Sequence, residues 1–417
     1  MNEPLNIVIN GWYGQLNAGD DAILDVFIDQ TRARFDAHFT VLSEMPENIP
    51  STPYMRGLFH PALLGRETPS ALIKGRLWRH LREISKADLF VLGGGGILRD
   101  NTNWRNLLRL LDEVWFAKLL GKKVMLYGIG VGPFKTALGR KLIGISARMA
   151  DLVTVRSERC AQLLRDVGVQ PQRIHVVSDP AFLLAPRVPA DAEIQRLFAP
   201  GKKTIGFYPT FALEVCYEGD EHFRQLAKAL DEVSADPEVQ LVSVPLSVLD
   251  NGVDDVDMAR KIQSFMKHPE RLYIYEKRLD AAELKWVTSQ AILNMTVRLH
   301  AMIFSLGAGV PVVAVNYEPK VANVFSEFQS PRYLVEMGPE LGQNLAQATQ
   351  HALRNLPAYT AHICNRLALI AANSTRTFDL MRDLYPDRVR VAEYIASSVK
   401  PESGAIKSRT ATTTEHH

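Results

Sequence analysis

The amino-acid sequence predicts an α/β protein in which two Rossmann-like domains face a central cleft and a helical extension follows the second domain. Short apolar runs alternate with amphipathic stretches along most of the chain, as in sheets of buried parallel strands joined by crossover helices. This alternation stops once, at a segment rich in proline and glycine, and then starts again. In such folds ligands bind beyond the carboxyl ends of the strands, so the loops after the strands are the candidate sites.

Ten apolar runs predict the strands of the two sheets. In the first half they lie at 5–9, 89–92, 124–127, 152–155 and 175–177. In the second half they lie at 204–208, 239–244, 272–275, 291–293 and 312–315. Helical spacing of apolar residues predicts helices at 20–34 and 103–120.

The breaks in this pattern predict five segments. Prolines and glycines near 185–189 and 199–201 bracket a short polar helix, and the pattern after residue 340 is helical. The last residues are polar, with three consecutive threonines. The predicted segments are a Rossmann-like domain at 1–185, a linker at 186–203, a second Rossmann-like domain at 204–340, C-terminal helices at 341–398 and a disordered tail at 399–417.

Composition excludes several classes of protein. Among 417 residues, 48 Lys and Arg residues balance 46 Asp and Glu residues, and a net charge of +2 argues against a protein that coats nucleic acid. Cys160, Cys216 and Cys364 form no CxxC pair, so zinc-ribbon and thioredoxin chemistry lack their ligands. The amino terminus lacks the pattern of a signal peptide, and the longest uncharged run, at 301–317, is too short and broken for a membrane span. We therefore expect a cytoplasmic protein.

A glycine-rich segment follows the first predicted strand. It contains Gly14 and Gly19, with Asp20 at the start of the next helix. Glycines let a backbone approach a ligand closely, and a helix N-terminus favours a phosphate or carboxylate. The same residues also suit a purely structural turn with an acidic helix cap, and the sequence leaves both interpretations open.

Two more glycine-rich segments follow later strands. Gly93, Gly94, Gly95 and Gly96 are consecutive, which is more than a turn needs, and they predict a backbone that contacts a ligand. Asp100 either faces the same cleft or caps the helix that follows. Gly130 lies in a Gly-x-Gly-x-Gly-Pro segment that resembles a phosphate loop without matching a fingerprint.

Basic residues and a histidine lie at the ends of other predicted strands. Arg156 follows the strand at 152–155, where it can bind an oxyanion with two hydrogen bonds or pair with a surface carboxylate. Arg298 and His300 are two residues apart, so on an extended segment they would share one face. Lys320 follows the next strand and can reach the same cleft. This set predicts an anion clamp beside an acid/base group.

Taken together, these motifs resemble the bacterial polysaccharide pyruvyl transferases. The likeness covers about residues 5 to 330, although Asp21 departs modestly from the family pattern and the C-terminal helices carry no motif of the family. It depends on the following segments: Gly19-Asp20, Gly93 to Gly96, Tyr127-Gly128-Ile129-Gly130, Val155-Arg156-Ser157, Ser178-Asp179-Pro180-Ala181-Phe182, Arg298-Leu299-His300-Ala301 and Glu318-Pro319-Lys320.

The resemblance implies a two-domain fold like that of the GT-B glycosyltransferases. It implies transfer of a pyruvyl group from phosphoenolpyruvate to a sugar diol, which forms a cyclic ketal and releases phosphate. In the family the residues matching Arg156, His300 and Lys320 are implicated in activity. We expect Arg156 and Arg298 to hold the carboxylate and phosphate, Lys320 to neutralise the departing phosphate, and His300 to act as general acid. This chemistry requires no metal and no cofactor besides phosphoenolpyruvate as co-substrate.

Substrate contacts are expected from the glycine loops and nearby carboxylates. The predicted substrate-binding residues are Gly14, Gly19, Asp20, Gly93, Gly94, Gly95, Gly96, Asp100, Gly130 and Glu318. Two other functions stay open: a nucleotide-sugar glycosyltransferase, in which Glu318 would lie near a ribose, and a non-catalytic protein that binds saccharides or anions.

The resemblance also suggests that the acceptor is a lipid-linked or otherwise activated saccharide. Seven basic residues oppose two acidic ones between Arg56 and Lys86, and apolar residues such as Trp78 recur at helical spacing there. This pattern is typical of an interfacial helix on anionic lipid and equally of a helix with a solvated basic face. The segment at 70–86 is therefore a candidate for peripheral contact with the inner face of the membrane. The sequence indicates no oligomeric state.

Overall fold

The computed structural model describes residues 3–60, 76–100, 104–198, 203–248 and 254–389. The predicted tail at 399–417 and the part of the basic segment at 61–75 lie outside these ranges. Within them, the chain forms two sheets with helices on their faces, and the predicted fold class is confirmed. The residue limits of the five predicted segments stay a prediction.

The first sheet has seven parallel strands in the order β3-β2-β1-β4-β5-β6-β7. Its strands are β1 Leu5–Asn10, β2 Ala37–Ser43, β3 Met55–Phe59, β4 Leu89–Leu98, β5 Lys123–Val131, β6 Leu152–Val155 and β7 Ile174–Val176. The second sheet has six parallel strands in the order β10-β9-β8-β11-β12-β13. Its strands are β8 Lys203–Tyr208, β9 Val239–Ser243, β10 Leu272–Ile274, β11 Leu293–Thr296, β12 Val312–Asn316 and β13 Leu334–Glu336.

Helices connect the strands and cover both faces of each sheet. The α-helices of the described residues are α1 Ala18–Arg32, α2 Arg76–Lys86, α3 Trp104–Leu119, α4 Ala137–Met149, α5 Glu158–Asp166, α6 Ala192–Leu197, α7 Ala212–Cys216, α8 Glu221–Val233, α9 Asp255–Ser264, α10 Ala281–Gln290, α11 Leu299–Gly307, α12 Pro319–Phe328, α13 Leu341–Arg354 and α14 Leu356–Leu384. None of these helices combines the length and the apolar character that crossing a bilayer requires.

Local sequence explains where several helices begin at the cleft. The side chains of Asn17, Thr136 and Ser157 each accept a backbone N–H of the first turn of α1, α4 and α5. These caps fix the N-termini of the helices that follow β1, β5 and β6, which begin after loops of seven, five and two residues. The cleft-facing loops are therefore short and anchored at both ends.

Each predicted strand overlaps an observed one, and three strands were missed. Strand β2 was missed because its buried residues include the polar Thr40 and Ser43, which interrupt the apolar run. Strands β3 and β13 were missed because they are short and lie at the edges of their sheets. The predicted end of β4 at Leu92 is wrong, because the strand continues through the glycines to Leu98.

The long helix α14 packs across both sheets. Tyr359 near its start donates a hydrogen bond to the Val312 carbonyl, 2.8 Å away on the second sheet. Near its end Phe378 packs against Phe27 and Tyr127 of the first domain, with ring centroids 6.2 and 5.9 Å away. The C-terminal helix therefore fastens the two domains to each other behind the cleft.

Candidate functional site

A cavity of about 910 Å³ lies between the two sheets. Its walls are the loops after β1, β4, β5 and β6 on one side and those after β11 and β12 on the other. The predicted site residues that line it are Asp20, Gly95, Gly96, Gly130, Arg156, Arg298, His300, Glu318 and Lys320. The carboxyl ends of strands from both domains thus converge on one space, as expected for this class of fold.

Four other predicted glycines do not line the cavity. A methyl group added to Gly19 would overlap the imidazole of His300, so this glycine makes room for the histidine. Gly94 has a φ of +75°, and an added methyl group would lie 2.6 Å from Ile23. Gly14 also has a positive φ, of +72°, and Gly93 packs closely against Tyr127.

Asp100 anchors a loop at the cavity. Its carboxylate accepts the backbone N–H groups of Lys135 and Thr136 at 2.5 and 2.7 Å. Burial would raise the pKa of Asp100, but the hydrogen bonds from Thr136 and Lys135 outweigh it and leave that pKa below its ordinary value. Asp100 therefore fixes the loop after β5, and residues 101–103, through which it would cap the next helix, lie outside the described ranges.

His300 lies at the start of a helix. The predicted extended segment is wrong here, because β11 ends at Thr296 and α11 begins at Leu299, with Arg298 as its N-cap residue. Both Arg298 and His300 nevertheless line the cavity. The Nε2 atom of His300 is buried and has no hydrogen-bond partner among the described residues.

Arg298 is held by a carboxylate that the sequence did not suggest. Its Nε and Nη2 atoms donate to the two oxygens of Asp255 at 2.9 and 2.8 Å. Asp255 is fully buried and also accepts the backbone N–H of Ser247 at 3.0 Å. This two-bond geometry fixes the plane of the guanidinium group at the cavity wall.

Arg156 and Lys320, which together with Arg298 we call the inner cations, also have one acidic partner each. Arg156 pairs with Asp179, which follows β7. Burial disfavours the charged guanidinium, but Asp179 outweighs it and raises the pKa of Arg156. Lys320 Nζ lies 2.9 Å from Glu318, and that partner and Tyr317 likewise raise the pKa of Lys320 against the effect of burial.

Two protonatable groups lie among these cations with opposite pKa shifts. Burial, helped by Asp21, raises the pKa of Asp20 to about 7, even though Arg156, Lys320 and Arg298 oppose the shift. Burial also lowers the pKa of His300 to about 4; Asp179 opposes this shift, and the same three cations add to it. The site without ligand therefore combines a carboxyl group that is partly protonated near neutrality with a neutral imidazole.

A third carboxyl group of the cavity was missed from the sequence. Glu327 on α12 accepts a hydrogen bond from Ser178, whose oxygen also accepts from Asn373 on α14 at 3.1 Å. Burial and the nearby Asp179 raise the pKa of Glu327 to about 7, although the hydrogen bond from Ser178 lowers it. Its spacing on α12 gave no signal of a site.

The described residues contain no group of three or more His, Cys, Asp or Glu side chains that could hold a metal ion. What the cavity offers is a cationic, partly buried space with backbone approaches at Gly95, Gly96 and Gly130. Such a space suits a small polyanion. The groups with shifted pKa values beside it suit proton transfer.

Comparison with known proteins identifies relatives by sequence and by fold. The family model for polysaccharide pyruvyl transferases matches residues 17–319, well over half of the chain. The amylovoran biosynthesis protein AmsJ of Erwinia amylovora is 22% identical over 240 residues, which cover 52% of this chain and 54% of AmsJ. The chain thus aligns with about half the length of this curated relative.

Solved structures with a similar fold include proteins whose names describe them as UDP-N-acetylglucosamine 2-epimerases. A putative UDP-N-acetylglucosamine 2-epimerase from Listeria monocytogenes superposes with a TM-score of 0.61 at 14% identity, covering 94% of this chain and 100% of that one. The UDP-GlcNAc 2-epimerase of Neisseria meningitidis, solved with UDP-GlcNAc, also has a TM-score of 0.61, at 10% identity and 92% and 99% coverage. Anabaena HepE, solved with UDP, has a TM-score of 0.58 at 12% identity, with 92% and 100% coverage. At these identities the likeness concerns the fold alone.

Proposed function

The chain belongs to the polysaccharide pyruvyl transferase family, and from this premise we propose that it moves the pyruvyl group of phosphoenolpyruvate onto a sugar diol of a polysaccharide precursor, forming a cyclic ketal and releasing phosphate. The observation that carries the proposal is the convergence of Arg156, Arg298 and Lys320 on one cavity with Asp20 and His300. Phosphoenolpyruvate has a carboxylate, a phosphate and a vinyl carbon that must gain a proton. The cavity has a group for each.

The three inner cations are suited to bind the donor. Each is fixed on one side by a carboxylate: Asp179, Asp255 or Glu318. Because these partners orient the cations before the ligand arrives, little side-chain freedom is lost on binding. We propose that Arg156 and Arg298 hold the carboxylate and phosphate and that Lys320 neutralises charge on the departing phosphate. Backbone N–H groups near Gly95, Gly96 and Gly130 would complete the contacts.

The pKa directions divide the proton transfers between two residues. The sequence suggested His300 as the general acid, but a pKa of about 4 leaves its imidazole neutral and its Nε2 free to accept a proton. Asp20 has a pKa of about 7, so its carboxyl group can carry the proton that the vinyl carbon needs. We assign proton donation to Asp20 and proton acceptance from the sugar hydroxyl to His300.

The reaction then balances in three steps. Asp20 gives its proton to the vinyl carbon, which becomes a methyl group, and the neighbouring carbon becomes electrophilic. One sugar hydroxyl adds to that carbon and passes its proton to His300. The carbon–oxygen bond to phosphate breaks with its electron pair going to phosphate, and the second hydroxyl closes the ring and gives its proton to phosphate. Ring closure is intramolecular, so it gains the high effective concentration of a held neighbour. His300 returns its proton to Asp20.

The acceptor that we propose is a lipid-linked or otherwise activated saccharide. A cavity of about 910 Å³ is large for a three-carbon ester alone, since pockets of ~300–1,000 Å³ hold drug-sized ligands. A cytoplasmic location with peripheral contact to the inner face of the membrane through 70–86 is part of the same proposal, because a lipid-linked acceptor must be reached at the bilayer.

One assay separates this function from the two that the sequence left open. The purified protein is incubated with phosphoenolpyruvate and candidate saccharides, and phosphate release and product mass are followed. Acceptor-dependent phosphate release with a pyruvylated product supports the proposal. Release of nucleotide from UDP-sugars without use of phosphoenolpyruvate would favour a glycosyltransferase. Binding of saccharide without either product would favour a binding protein.

A further inference from the structure

The mouth of the cavity contains a second group of cations, separate from the three inner ones. Arg99, Lys135, Arg140 and Arg159 all line the cavity and all are exposed. Within the described ranges, none of these four side chains forms an ion pair. We call this group the outer cations.

The outer cations come from three segments that hydrogen bonds join to one another. Asp100, next to Arg99, accepts the backbone N–H groups of Lys135 and Thr136, which places the end of β4 against the loop before α4. The backbone N–H of Val131 donates to Cys160 Sγ at 3.3 Å, which joins the end of β5 to the first turn of α5. The four basic side chains are therefore displayed by a rigid part of the first domain, after β4, β5 and β6.

The carboxylates of the cavity do not neutralise this group. The four acidic residues that line the cavity are Asp20, Asp179, Glu318 and Glu327, and three of them contact partners in the inner part. Asp20 instead accepts from Asn17 at 2.6 Å. Glu158, beside Arg159 in the chain, pairs with Arg165 on the same helix. The outer cations thus remain as uncompensated positive charge at the entrance.

Several backbone donors at the N-terminus of α4 already have partners. Lys135 and Thr136 donate to Asp100, and Gly139 donates to Thr136 Oγ1 at 2.9 Å. The exposed basic side chains are the charged groups that an anion at the mouth would meet. Arginine is suited to this because it donates two parallel hydrogen bonds to a phosphate group.

We infer that the outer cations bind a diphosphate group that is carried by the acceptor saccharide. This inference rests on the proposed function, because it assumes that phosphoenolpyruvate occupies the inner part of the cavity. The inner three cations already face the two anionic groups of phosphoenolpyruvate, so the four outer cations are available to a second anionic group. A diphosphate esterified on both sides carries two negative charges on adjacent phosphates, and several basic side chains can contact both with paired hydrogen bonds. The acceptor is thereby assigned to the glycosyl diphosphates, whether nucleotide-linked or lipid-linked.

Calorimetry on the full-length protein tests the inference without a known acceptor. The protein is first saturated with phosphoenolpyruvate, and pyrophosphate, UDP and geranyl diphosphate are then titrated in. We expect each probe to bind alongside phosphoenolpyruvate, with an affinity that falls steeply as salt rises. Tighter binding of UDP than of pyrophosphate indicates a nucleotide-linked acceptor, and tighter binding of geranyl diphosphate indicates a lipid-linked one. Both outcomes support the diphosphate subsite.

A matched pair of variants checks that the outer cations are responsible. Arg140→Ala with Arg159→Ala should weaken the binding of the diphosphate probes about tenfold or more, because the variant loses two charge-assisted contacts. The affinity for phosphoenolpyruvate should change less than about twofold, because the variant removes no inner cation. Lys141→Ala with Lys228→Ala removes two exposed charges that lie outside the cavity and should change neither affinity.

The inference is overturned if no diphosphate probe binds to the saturated protein, if the probes displace phosphoenolpyruvate, or if the double arginine variant binds them as the unaltered protein does. Failure of phosphoenolpyruvate itself to bind is a different result and contradicts the proposed function. In that case the probes are titrated into the free protein. Binding that depends on Arg140 and Arg159 would still support the subsite, and binding that ignores them would reject it.

Discussion

The two walls of the cavity are built in different ways. The wall from the first domain brings backbone close to the ligand space, with Gly19 making room for His300 and Gly95 lying beside Asp20. The wall from the second domain brings charged side chains, with Arg298 and Lys320 each held by a carboxylate. The first wall also carries charged residues such as Arg156, but substitutions of its glycines should act through shape, whereas those of the ion pairs in the second wall should act through charge.

The strongest test of this difference is Gly19→Ala. The added methyl group would overlap the imidazole of His300, which lies on the opposite wall. We expect turnover to fall about 100-fold or more, because a displacement of ~1 Å in a reacting group can cost that much. Steady-state phosphate release from phosphoenolpyruvate in the presence of acceptor measures the loss.

A double-variant cycle shows whether the loss comes from the overlap. In a His300→Ala background, Gly19→Ala should cause no further loss, since the group that it displaces is gone. Additive losses in the double variant, or nearly normal turnover of Gly19→Ala alone, would contradict a coupling of the two walls through this contact.

Asp255→Asn tests the contribution of ion pairs in the wall from the second domain. The side chains of Arg298 and Asp255 are 13% and 0% exposed, so the substitution leaves a buried cation without its partner. Breaking such a pair costs ~3–5 kcal/mol of unfolding free energy. Denaturant unfolding followed by fluorescence measures this loss, and calorimetry should show weaker binding of phosphoenolpyruvate.

Glu318→Gln is the control for that prediction on the same wall. Its pair with Lys320 is more open, with side chains 32% and 39% exposed, so solvent screens the interaction. The expected loss of stability is ~1 kcal/mol or less. Equal losses for the two substitutions would show that burial does not decide the contribution of these ion pairs.

The positions of the charged residues after the strands could be predicted from the sequence, but their partners could not. Arg156, Arg298 and Lys320 follow apolar runs, and parallel strands deliver their carboxyl ends to one edge. Asp255 is 43 residues from Arg298 and lies on a helix of another crossover unit. Nothing in the local pattern around either residue encodes that contact, because it depends on how α9 packs beside the end of β11.

The glycine run shows a second limit. Four glycines after an apolar run suggested that β4 ends at Leu92, yet the strand continues because β5 pairs with it up to Leu98, with a shift in register after Gly95. Pairing with a neighbouring strand overrode the local preference of glycine for turns. The run does reach the cavity, at Gly95 and Gly96.

The raised pKa of Asp20, a residue of the first wall, predicts that the stability of the folded protein depends on pH. Burial raises the pKa of Asp20 to about 7 in the folded protein, whereas an unfolded aspartate titrates near 3.8. Between these values the folded state holds a proton that the unfolded state releases, so the contribution of Asp20 to stability falls as pH rises and levels off above about 7. Asp20→Asn removes this fall. Its stability relative to the unaltered protein should therefore increase between pH 4 and 7 and stay constant above.

Asp25→Asn is the matched control for Asp20. Burial, together with Asp21 and Asp29, raises the pKa of Asp25 to about 7 as well, on the same helix but outside the cavity. Both variants should show the same trend of thermal stability with pH. Only Asp20→Asn should lose turnover, because only Asp20 faces the site. Loss of turnover in Asp25→Asn, or its retention in Asp20→Asn, would remove Asp20 from the proposed proton transfer.

The smallest expected effect concerns α2, whose described residues do not line the cavity. Ile84 of this helix is fully buried and Trp78 is 68% exposed, so the predicted apolar stripe divides between the core and the surface. Arg79, Arg82 and Lys86 are exposed on the same helix. An exposed tryptophan among basic residues is suited to the interface of an anionic bilayer, where each basic residue contributes ~1 kcal/mol to binding.

We therefore expect the protein to sediment with vesicles rich in anionic lipid at low salt and not with neutral ones. Trp78→Ala should reduce the bound fraction severalfold without changing stability, while Leu119→Ala, at a position 81% exposed on α3, should leave binding intact. Absence of binding to anionic vesicles, or equal effects of the two substitutions, would show that Trp78 is a surface residue of a solvated helix.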